Sequence, residues 1–268
     1  MKPAPFDYRA PASVEEALPL LGPDSTVLAG GQSLVPLLNL RLARPELVLD
    51  INAIAELDYI RSDDGRLRIG AMTRQAVFER SELVRRGWAL LHKAVGFVGH
   101  PQIRTRGTVG GSVAHADPAA ELPAALIALD ARLHLRSASG TRTLEASDFF
   151  LGPLYTAREP DELLVEIEVP EQPDDAGSGF AEHARTHGDF ATAGAAAVIA
   201  PGGKGGIALL GAGPIPQRAE AAERALASGA EPREAAALAA QDVEDRHRRA
   251  LCTELARRAI EEAMAKTT

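Results

Sequence analysis

Two glycine pairs are the residues of this sequence best suited to chemistry, because each lies in a turn just before a predicted helix. They occur in AGGQS at 29–33 and in TVGGS at 108–112. A glycine pair lets the backbone adopt positive φ angles and approach a ligand closely. The first amides of a helix lack partners within the helix and suit a phosphate group, and the hydroxyls of Ser33, Thr108 and Ser112 add donors. The two loops therefore predict an anion cradle that needs no lysine.

Ordinary turn glycines are the simpler explanation for either loop taken alone, whereas the shared design of the two loops favours a ligand. Neither loop matches the dinucleotide-binding pattern GxGxxG or the P-loop pattern GxxxxGK[ST]. Those two phosphate-binding mechanisms are therefore not supported.

Other reactive residue types give weaker signals. His115 and Asp117 could both bind a metal, but no third ligand is near them in sequence, so contacts with the loop backbone are the favoured role. Arg104 and Arg106, beside the second loop, are interpreted as solvated surface residues. No Ser-His-Asp order and no nucleophile elbow occurs. We therefore predict no catalytic residue and no metal site on this chain.

Composition limits the partners of the chain. Its 268 residues include 29 Lys and Arg against 37 Asp and Glu, a net charge of −8, which argues against a nucleic acid or an anionic membrane as partner. Cys252 is the single cysteine, so no disulfide, cysteine-ligated zinc site or iron–sulfur cluster can be built from this chain alone. It falls on the apolar stripe of the last predicted helix, where a core role is expected.

Targeting signals are not apparent in the sequence. The first residues have neither the apolar region nor the dense basic region of a signal peptide, and no run of about 18 apolar residues occurs. We therefore expect a cytoplasmic globular protein with no direct membrane insertion.

The elements that position the first loop form a predicted βαβ unit, with strands over 26–29 and 47–51 and a helix over 33–42. The second loop falls in an irregular stretch over 99–118. Three domains are predicted: 1–53, 54–172 and 178–268, with a linker over 171–178. The other predicted elements are helices over 73–78, 81–98, 119–129, 217–228 and 232–264, and strands over 66–70, 132–136, 163–169, 191–200 and 206–211, of which 163–169 has a solvated face with Glu166 and Glu168.

Longer segments around the two loops carry a resemblance to a known family. They are AGGQSLVPLLNLRLARPELVLDIN at 29–52 and RGTVGGSVAHADPAAELPAALIALDA at 106–131. With PFDYRAPASVEEAL near the start, IGAMTR at 69–74 and GDFATAGAAAVI at 188–199, the sequence resembles the FAD-binding medium subunit of the molybdenum hydroxylases, as in aerobic carbon monoxide dehydrogenase and xanthine dehydrogenase-type complexes. The resemblance extends over essentially the whole chain.

The resemblance implies an α+β (mixed α/β) fold of the vanillyl-alcohol-oxidase or PCMH type. In this fold FAD lies between two α/β domains, and a carboxyl-terminal domain of a three-stranded sheet with helices completes the molecule. Both glycine loops would surround the FAD pyrophosphate.

Individual cofactor contacts also follow from the resemblance. Glu121 stands where the family contacts the adenosine ribose with an acid, Leu164 lies on a strand beside the flavin or adenine, and Arg185 and Phe190 lie near the isoalloxazine. The full set implied is Leu28, Ala29, Gly30, Gly31, Gln32, Ser33, Leu34, Gly107, Thr108, Gly110, Gly111, Ser112, Glu121, Leu164, Arg185 and Phe190.

The function implied is electron transfer within an oxidoreductase complex. Substrate would be oxidised at a molybdopterin cofactor on a large subunit, and electrons would pass through [2Fe–2S] clusters on a small subunit to FAD on this chain and then to an external acceptor. A dimer of heterotrimers is the expected assembly. Two alternatives stay open at this point: a stand-alone flavin-dependent oxidoreductase of the same fold, and a non-enzymatic module that holds another phosphate ligand.

Overall fold

The first part of the chain forms a small parallel sheet with two short helices. The computed structural model describes residues 2–186 and 188–265; residues 1, 187 and 266–268, which belong to the first and third predicted domains, lie outside the described residues. The strand order is β1–β3–β2, and β2 and β3 are parallel, which confirms the predicted βαβ unit. The elements are β1 (Asp7–Arg9), α1 (Val14–Ala17), β2 (Ser25–Leu28), α2 (Leu34–Asn39) and β3 (Leu47–Asp50).

The middle part of the chain is a five-stranded antiparallel sheet packed against helices. Its order is β4–β5–β10–β6–β7, and helix α8, buried at every residue, belongs to the same hydrophobic core. The elements are β4 (Ile60–Asp63), β5 (Arg66–Gly70), α3 (Gln75–Arg80), α4 (Glu82–Gly87), α5 (Ala89–Phe97), α6 (Pro101–Arg106), α7 (Val109–His115), α8 (Glu121–Ala128), β6 (Arg132–Ser137), β7 (Gly140–Glu145), α9 (Ala146–Phe149), β8 (Phe150–Gly152), β9 (Tyr155–Thr156) and β10 (Leu163–Pro170).

Two predictions for the helical region were wrong. The helix predicted over 81–98 is two helices, because Trp88 leaves the helical region (φ −137°, ψ 59°) and its indole Nε1 donates to the Pro170 carbonyl at 2.9 Å. The stretch over 99–118 is not irregular, since it contains α6 and α7. Glycines lower the intrinsic helix propensity of α7, and tertiary contacts outweigh that preference.

The predicted solvated face of β10 is also wrong, because Glu166 and Glu168 are buried. Arg68 reaches both carboxylates, with Nη1 at 2.8 Å from Glu166 and Nη2 at 3.1 Å from Glu168. Arg66 adds a second contact to Glu168 at 2.8 Å. Arginine side chains from the neighbouring strand thus cover the acidic residues and neutralise their charge.

The last part of the chain has three long antiparallel strands, a two-residue fourth strand and three helices. The helix predicted over 232–264 is two helices, and Asp245 caps the second by accepting a hydrogen bond from the Arg248 amide at 2.7 Å. Cys252 is buried in α12, as predicted. The elements are β11 (Gly177–His183), β12 (Ala193–Ile199), β13 (Gly205–Leu210), β14 (Gln217–Arg218), α10 (Glu220–Ala227), α11 (Pro232–Ala239) and α12 (Arg246–Met264).

The last sheet is buried on both faces, and side chains of its strands alternate between two cores. Ala196, Val198 and Leu210 belong to the core that surrounds α8 and the five-stranded sheet. Ala197 and Leu209 belong to the core formed with α10–α12. This period-2 alternation places the sheet between α8 on one side and α12 on the other. Among the described residues, no helix is long and apolar enough to cross a membrane.

Candidate functional site

A cavity of about 540 Å³ lies between the small parallel sheet and the five-stranded sheet. Both glycine loops form its wall, together with side chains from α8 and β10 and from the loop before β12. The predicted residues that line it are Ala29, Gly30, Gly31, Gln32, Ser33, Leu34, Gly107, Thr108, Gly110, Gly111, Ser112, Glu121, Leu164 and Phe190.

The two loops touch each other at Gly30. A Cβ atom added to Gly30 would lie 2.2 Å from the Arg106 carbonyl oxygen and 2.8 Å from the Gly107 Cα, so no larger residue fits. Gly31 next to it has φ +74°, a conformation that favours glycine. The glycine pair therefore closes the wall of the cavity by direct contact between the loops.

The first loop presents unpaired amides, as the sequence predicts. Within the described residues, the backbone amides of 30–34 donate no hydrogen bond to protein groups, whereas the next amide, of Val35, donates to the Gly31 carbonyl at 3.1 Å. Consecutive free N–H groups at the start of α2 favour an anion. This segment is the part of the wall best suited to a phosphate.

The second loop differs, and the prediction that its amides are unpaired was wrong. The amide of Val109 donates to Thr73 O at 2.9 Å, that of Gly110 to Ala71 O at 3.0 Å and that of Gly111 to Thr108 Oγ1 at 3.0 Å. A Cβ on Gly110 would lie 2.5 Å from Ala71 Cβ. The start of α7 thus packs onto the segment that follows β5, and its glycines serve that close contact.

Glu121 is the most strongly perturbed acid on the wall. It is only 6% exposed, and burial raises the pKa of its carboxyl to about 7, with a further increase from the neighbouring Asp117. Arg104 has a weak opposing effect on this pKa. Because the carboxyl has no side-chain partner among the described residues, it is available to a ligand that donates a hydrogen bond.

Arg104 is buried, which contradicts its interpretation as a solvated residue. Its guanidinium makes two hydrogen bonds to Glu79, at 2.8 and 2.9 Å, and donates to the carbonyls of Val98 and Gly99. A guanidinium has five donors, and this one is used to tie α6 to α3 and to the end of α5. Its role is structural support of the cavity wall.

His115 and Asp117 line the cavity on either side of a strained residue. Burial lowers the pKa of His115, although Asp117 opposes the change, and Asp117 Oδ1 accepts from the Ala119 amide at 2.8 Å as expected. Ala116 between them has φ 54°, and its carbonyl accepts from Leu154, which has φ 58°. Two left-handed non-glycine residues in direct contact are typical of a functional site.

Several lining residues carried no recognisable sequence signal. Arg158 lines the cavity, donates to the carbonyls of Glu159 and Glu162, and has its pKa lowered by burial. The Glu162 carboxylate binds Arg142 at 2.6 and 2.8 Å. Charged residues in a short loop are normally solvated, so sequence alone gives no reason to place them at a site.

Three predicted residues occupy peripheral positions. Leu28 lines a smaller adjoining cavity of about 370 Å³, behind the first loop, with Asp50 and Arg106. Phe190 lines the main cavity at its rim and is 68% exposed. Arg185 is exposed and lies outside the lining of both cavities.

The residues present fit a flavin dinucleotide. Free amides of the first loop suit a pyrophosphate, the Glu121 carboxyl suits a sugar hydroxyl, and apolar side chains such as Met72, Val98 and Leu164 offer contact to a planar ring. Fold and cavity together are those expected of a protein that binds a phosphate-containing cofactor by backbone groups.

Comparison with known families agrees with this class. Residues 4–172 match the family described as the FAD binding domain in molybdopterin dehydrogenase. The chain belongs to this family.

Similar proteins cover most of the chain. The 6-hydroxypseudooxynicotine dehydrogenase complex subunit alpha of Paenarthrobacter nicotinovorans is 44% identical over 234 residues, which are 84% of this chain and 79% of that protein. The carbon monoxide dehydrogenase medium chain of Hydrogenophaga pseudoflava is 43% identical over 206 residues, 76% and 72% of the two chains.

Solved structures show the same architecture over the full length. A carbon monoxide dehydrogenase chain from Hydrogenophaga pseudoflava superposes with a TM-score of 0.95 at 39% identity and covers 100% of both chains. Quinoline 2-oxidoreductase from Pseudomonas putida 86 gives 0.92 at 35% identity, with the same coverage. The predicted mixed α/β fold and family are confirmed. This chain is the FAD-binding medium subunit of a molybdenum hydroxylase-type complex, and hence an oxidoreductase subunit.

Proposed function

We propose that this chain receives electrons from [2Fe–2S] clusters on a small partner subunit and passes them through FAD to an external acceptor. Substrate oxidation would take place at a molybdenum cofactor on a large partner subunit. Relatives named as subunits of dehydrogenase complexes support the existence of partners, and the specific heterotrimer and its dimer are part of the proposal.

The state of Cys252 carries this proposal. It is the one cysteine of the chain, it is fully buried in α12, and burial raises the pKa of its thiol to about 11. A metal-ligating cysteine must be deprotonated and accessible to the metal. Any iron–sulfur cluster that supplies electrons to this cavity would therefore lie on another chain.

The cavity residues would bind and orient the cofactor. The amides of 30–34 would hold the pyrophosphate, Glu121 would accept a hydrogen bond from the adenosine ribose, and Leu164 and Phe190 would contact the ring systems. When bound, FAD supplies the capacity to take up and release electrons one or two at a time. Arg185, exposed outside the cavity, stays a predicted contact, as does Leu28 behind the first loop.

Other parts of the sequence prediction keep the status of proposals. The division at 1–53, 54–172 and 178–268 stays a prediction, and strands and helices on both sides of residue 178 share one core. The cytoplasmic location also stays a prediction.

Electron entry can be tested with the complex purified from its native source and its separated subunits. The FAD-loaded chain is mixed rapidly, without oxygen, with chemically reduced small subunit, and flavin absorbance is followed. We expect flavin reduction that disappears when iron is removed from the small subunit and persists in Cys252→Ala. Flavin reduction that requires Cys252 would contradict the proposal. Turnover of an organic substrate by the isolated chain would also contradict it and would favour the stand-alone oxidoreductase.

A further inference from the structure

Arg158 brings a permanent positive charge to the wall of the FAD cavity. It lies in the segment between β9 and β10, and the other lining residues among those described include no arginine or lysine. Burial lowers the pKa of His115, another basic residue of this wall, and so favours its neutral form, although Asp117 opposes the change. A guanidinium stays charged even when it is buried. The described wall of the cavity thus has one fixed cation.

Two backbone carbonyls hold the Arg158 guanidinium in place. Its Nη1 atom donates to the carbonyl oxygen of Glu162 at 2.7 Å and to that of Glu159 at 2.9 Å. Its Nε and Nη2 atoms donate to no protein group in the described part of the chain, and neither atom is closed off from solvent. A guanidinium has five donors, so most of them remain available to a ligand in the cavity.

The acids near Arg158 do not neutralise it. The Glu162 carboxylate is bound by Arg142 at 2.6 and 2.8 Å and by the Glu159 amide at 2.8 Å. Within the described residues, no carboxylate oxygen lies within 4 Å of the Arg158 guanidinium. Burial lowers the pKa of Arg158, and the charges of Glu162 and Asp161 oppose this change only in part. A half-buried guanidinium without an ion pair favours an anion beside it.

We propose that Arg158 is a phosphate-attracting residue of the FAD cavity, and that its charge supplements the free amides of 30–34 in binding the anionic nucleotide. FAD carries negative charge on its pyrophosphate, so a cation that has no carboxylate partner lowers the cost of burying that charge. Arg158 acts here through its charge and not by contact with the adenine or flavin ring. It has this role only if FAD occupies the cavity, as proposed above.

The test compares nucleotide ligands that differ in charge. ADP carries phosphates, whereas adenosine has the same base and sugar without them. Calorimetry measures the affinity of the flavin-free full-length chain for both, and flavin fluorescence measures its affinity for FAD. Arg158→Gln removes the charge but keeps a donor for the two carbonyls. We expect it to lose about 10- to 100-fold in affinity for ADP and FAD and nothing for adenosine.

Further variants separate charge from packing. Arg158→Lys keeps a positive charge and should retain most of the affinity for ADP and FAD. Arg233→Gln is the matched control, because Arg233 is an exposed arginine on α11 outside the cavity wall, and it should bind all three ligands as the wild type does. Melting curves show which variants are folded, and Arg158→Met takes the place of Arg158→Gln if the latter does not fold.

The outcomes distinguish the role of Arg158 from the cofactor assignment. Equal losses of adenosine and ADP affinity in Arg158→Gln, or an ADP affinity equal to that of the wild type, would overturn the inference. Arg158→Lys that binds ADP as weakly as Arg158→Gln would also overturn it, because the charge is still present. A wild-type chain that binds neither FAD nor ADP would instead contradict the assignment of FAD to this cavity.

Discussion

Glycine serves two purposes in the wall of this cavity. In the first loop it frees consecutive amides and permits contact with the second loop at Arg106, whereas at Gly110 it permits α7 to pack on Ala71. At both Gly30 and Gly110 an added Cβ would point at protein atoms and not into the cavity. Substitution there would act on the cofactor through displacement of the wall.

Gly30→Ala tests this contact at the residue scale. The new Cβ would collide with the Arg106 carbonyl, so we expect about 1–3 kcal/mol of destabilisation and at least about a tenfold loss of FAD affinity. Gly96→Ala is the matched control, because Gly96 is exposed in α5 with no atom within 4 Å of the added Cβ. It should stabilise the chain by about 0.5–1 kcal/mol and leave affinity unchanged. Urea unfolding measures the change in stability and FAD titration the change in affinity. If Gly30→Ala and Gly96→Ala had the same stability and the same FAD affinity, the contact between the loops would be refuted.

Glu121 is expected to lower the stability of the cofactor-free chain at neutral pH. Its pKa of about 7 in the folded chain lies above the usual value of 4.5, so the folded state retains a proton that the unfolded state releases between these pH values. Stability therefore falls as pH rises from about 4.5 to about 7. Glu121→Gln should gain up to about 3 kcal/mol over the wild type at pH 7.5 and almost nothing at pH 4.5. Urea unfolding at both pH values measures the difference, and a gain that does not depend on pH would contradict this explanation.

At the scale of elements, the polar layer on β10 shows how a strand pattern was misinterpreted. Alternating Val, Ile and Glu predict one solvated face, but Arg66 and Arg68 on β5 cover the acids. The alternation itself is correct, since Ile167 and Val169 are in the core. The sequence does not reveal that β5 is the strand beside β10, because strands that pair in a sheet can lie far apart in the sequence.

Arg68→Ala should destabilise the sheet by about 2 kcal/mol or more, because it leaves two buried carboxylates short of a partner. Arg258→Ala removes an exposed pair with Glu254 on α12 and should have no measurable effect. Denaturant unfolding of the two variants provides the comparison. A similar result for both would mean that the charges on β10 are solvated after all.

The elements near the loops were predictable to different degrees. The βαβ unit follows from Leu and Val spacing around Gly30-Gly31, and both loops were found from their composition. Helix α7 was missed because its glycines lower its helix propensity, and Arg158 was missed because a charged residue in a short loop gives no sign of burial.

At the scale of the whole molecule, the last sheet completes the core of the middle one. Gly206 lets β13 approach the end of α8, where an added Cβ would lie 1.9 Å from the Ala128 carbonyl oxygen. The Gly211 amide donates to Pro118 O, and Arg218 donates to Ile127 O, both at 2.8 Å. The FAD-binding family match ends at residue 172, but the contacts that support the cavity extend beyond it.

A fragment of residues 1–172 should therefore fail to form a rigid FAD-binding unit. Removal of Phe180, Val198 and Leu210 exposes the apolar side of α8, at a cost of about 1.5–3 kcal/mol for each large side chain lost from the core. We expect weak cooperativity in thermal unfolding, dye binding to exposed apolar surface, and no FAD retention. Cooperative unfolding with the FAD affinity of the full chain would show instead that the two parts are independent domains.

The central claim is that the two touching glycine loops build the FAD cavity of this subunit. The most direct measurement is the identity and amount of the ligand released when the purified full-length protein, isolated with its partners, is denatured. Mass spectrometry and absorbance should find FAD at about one molecule per chain in the wild type, and a much lower content in Gly30→Ala. No flavin in the wild type, a different phosphate ligand in its place, or an unchanged flavin content in Gly30→Ala would contradict the account.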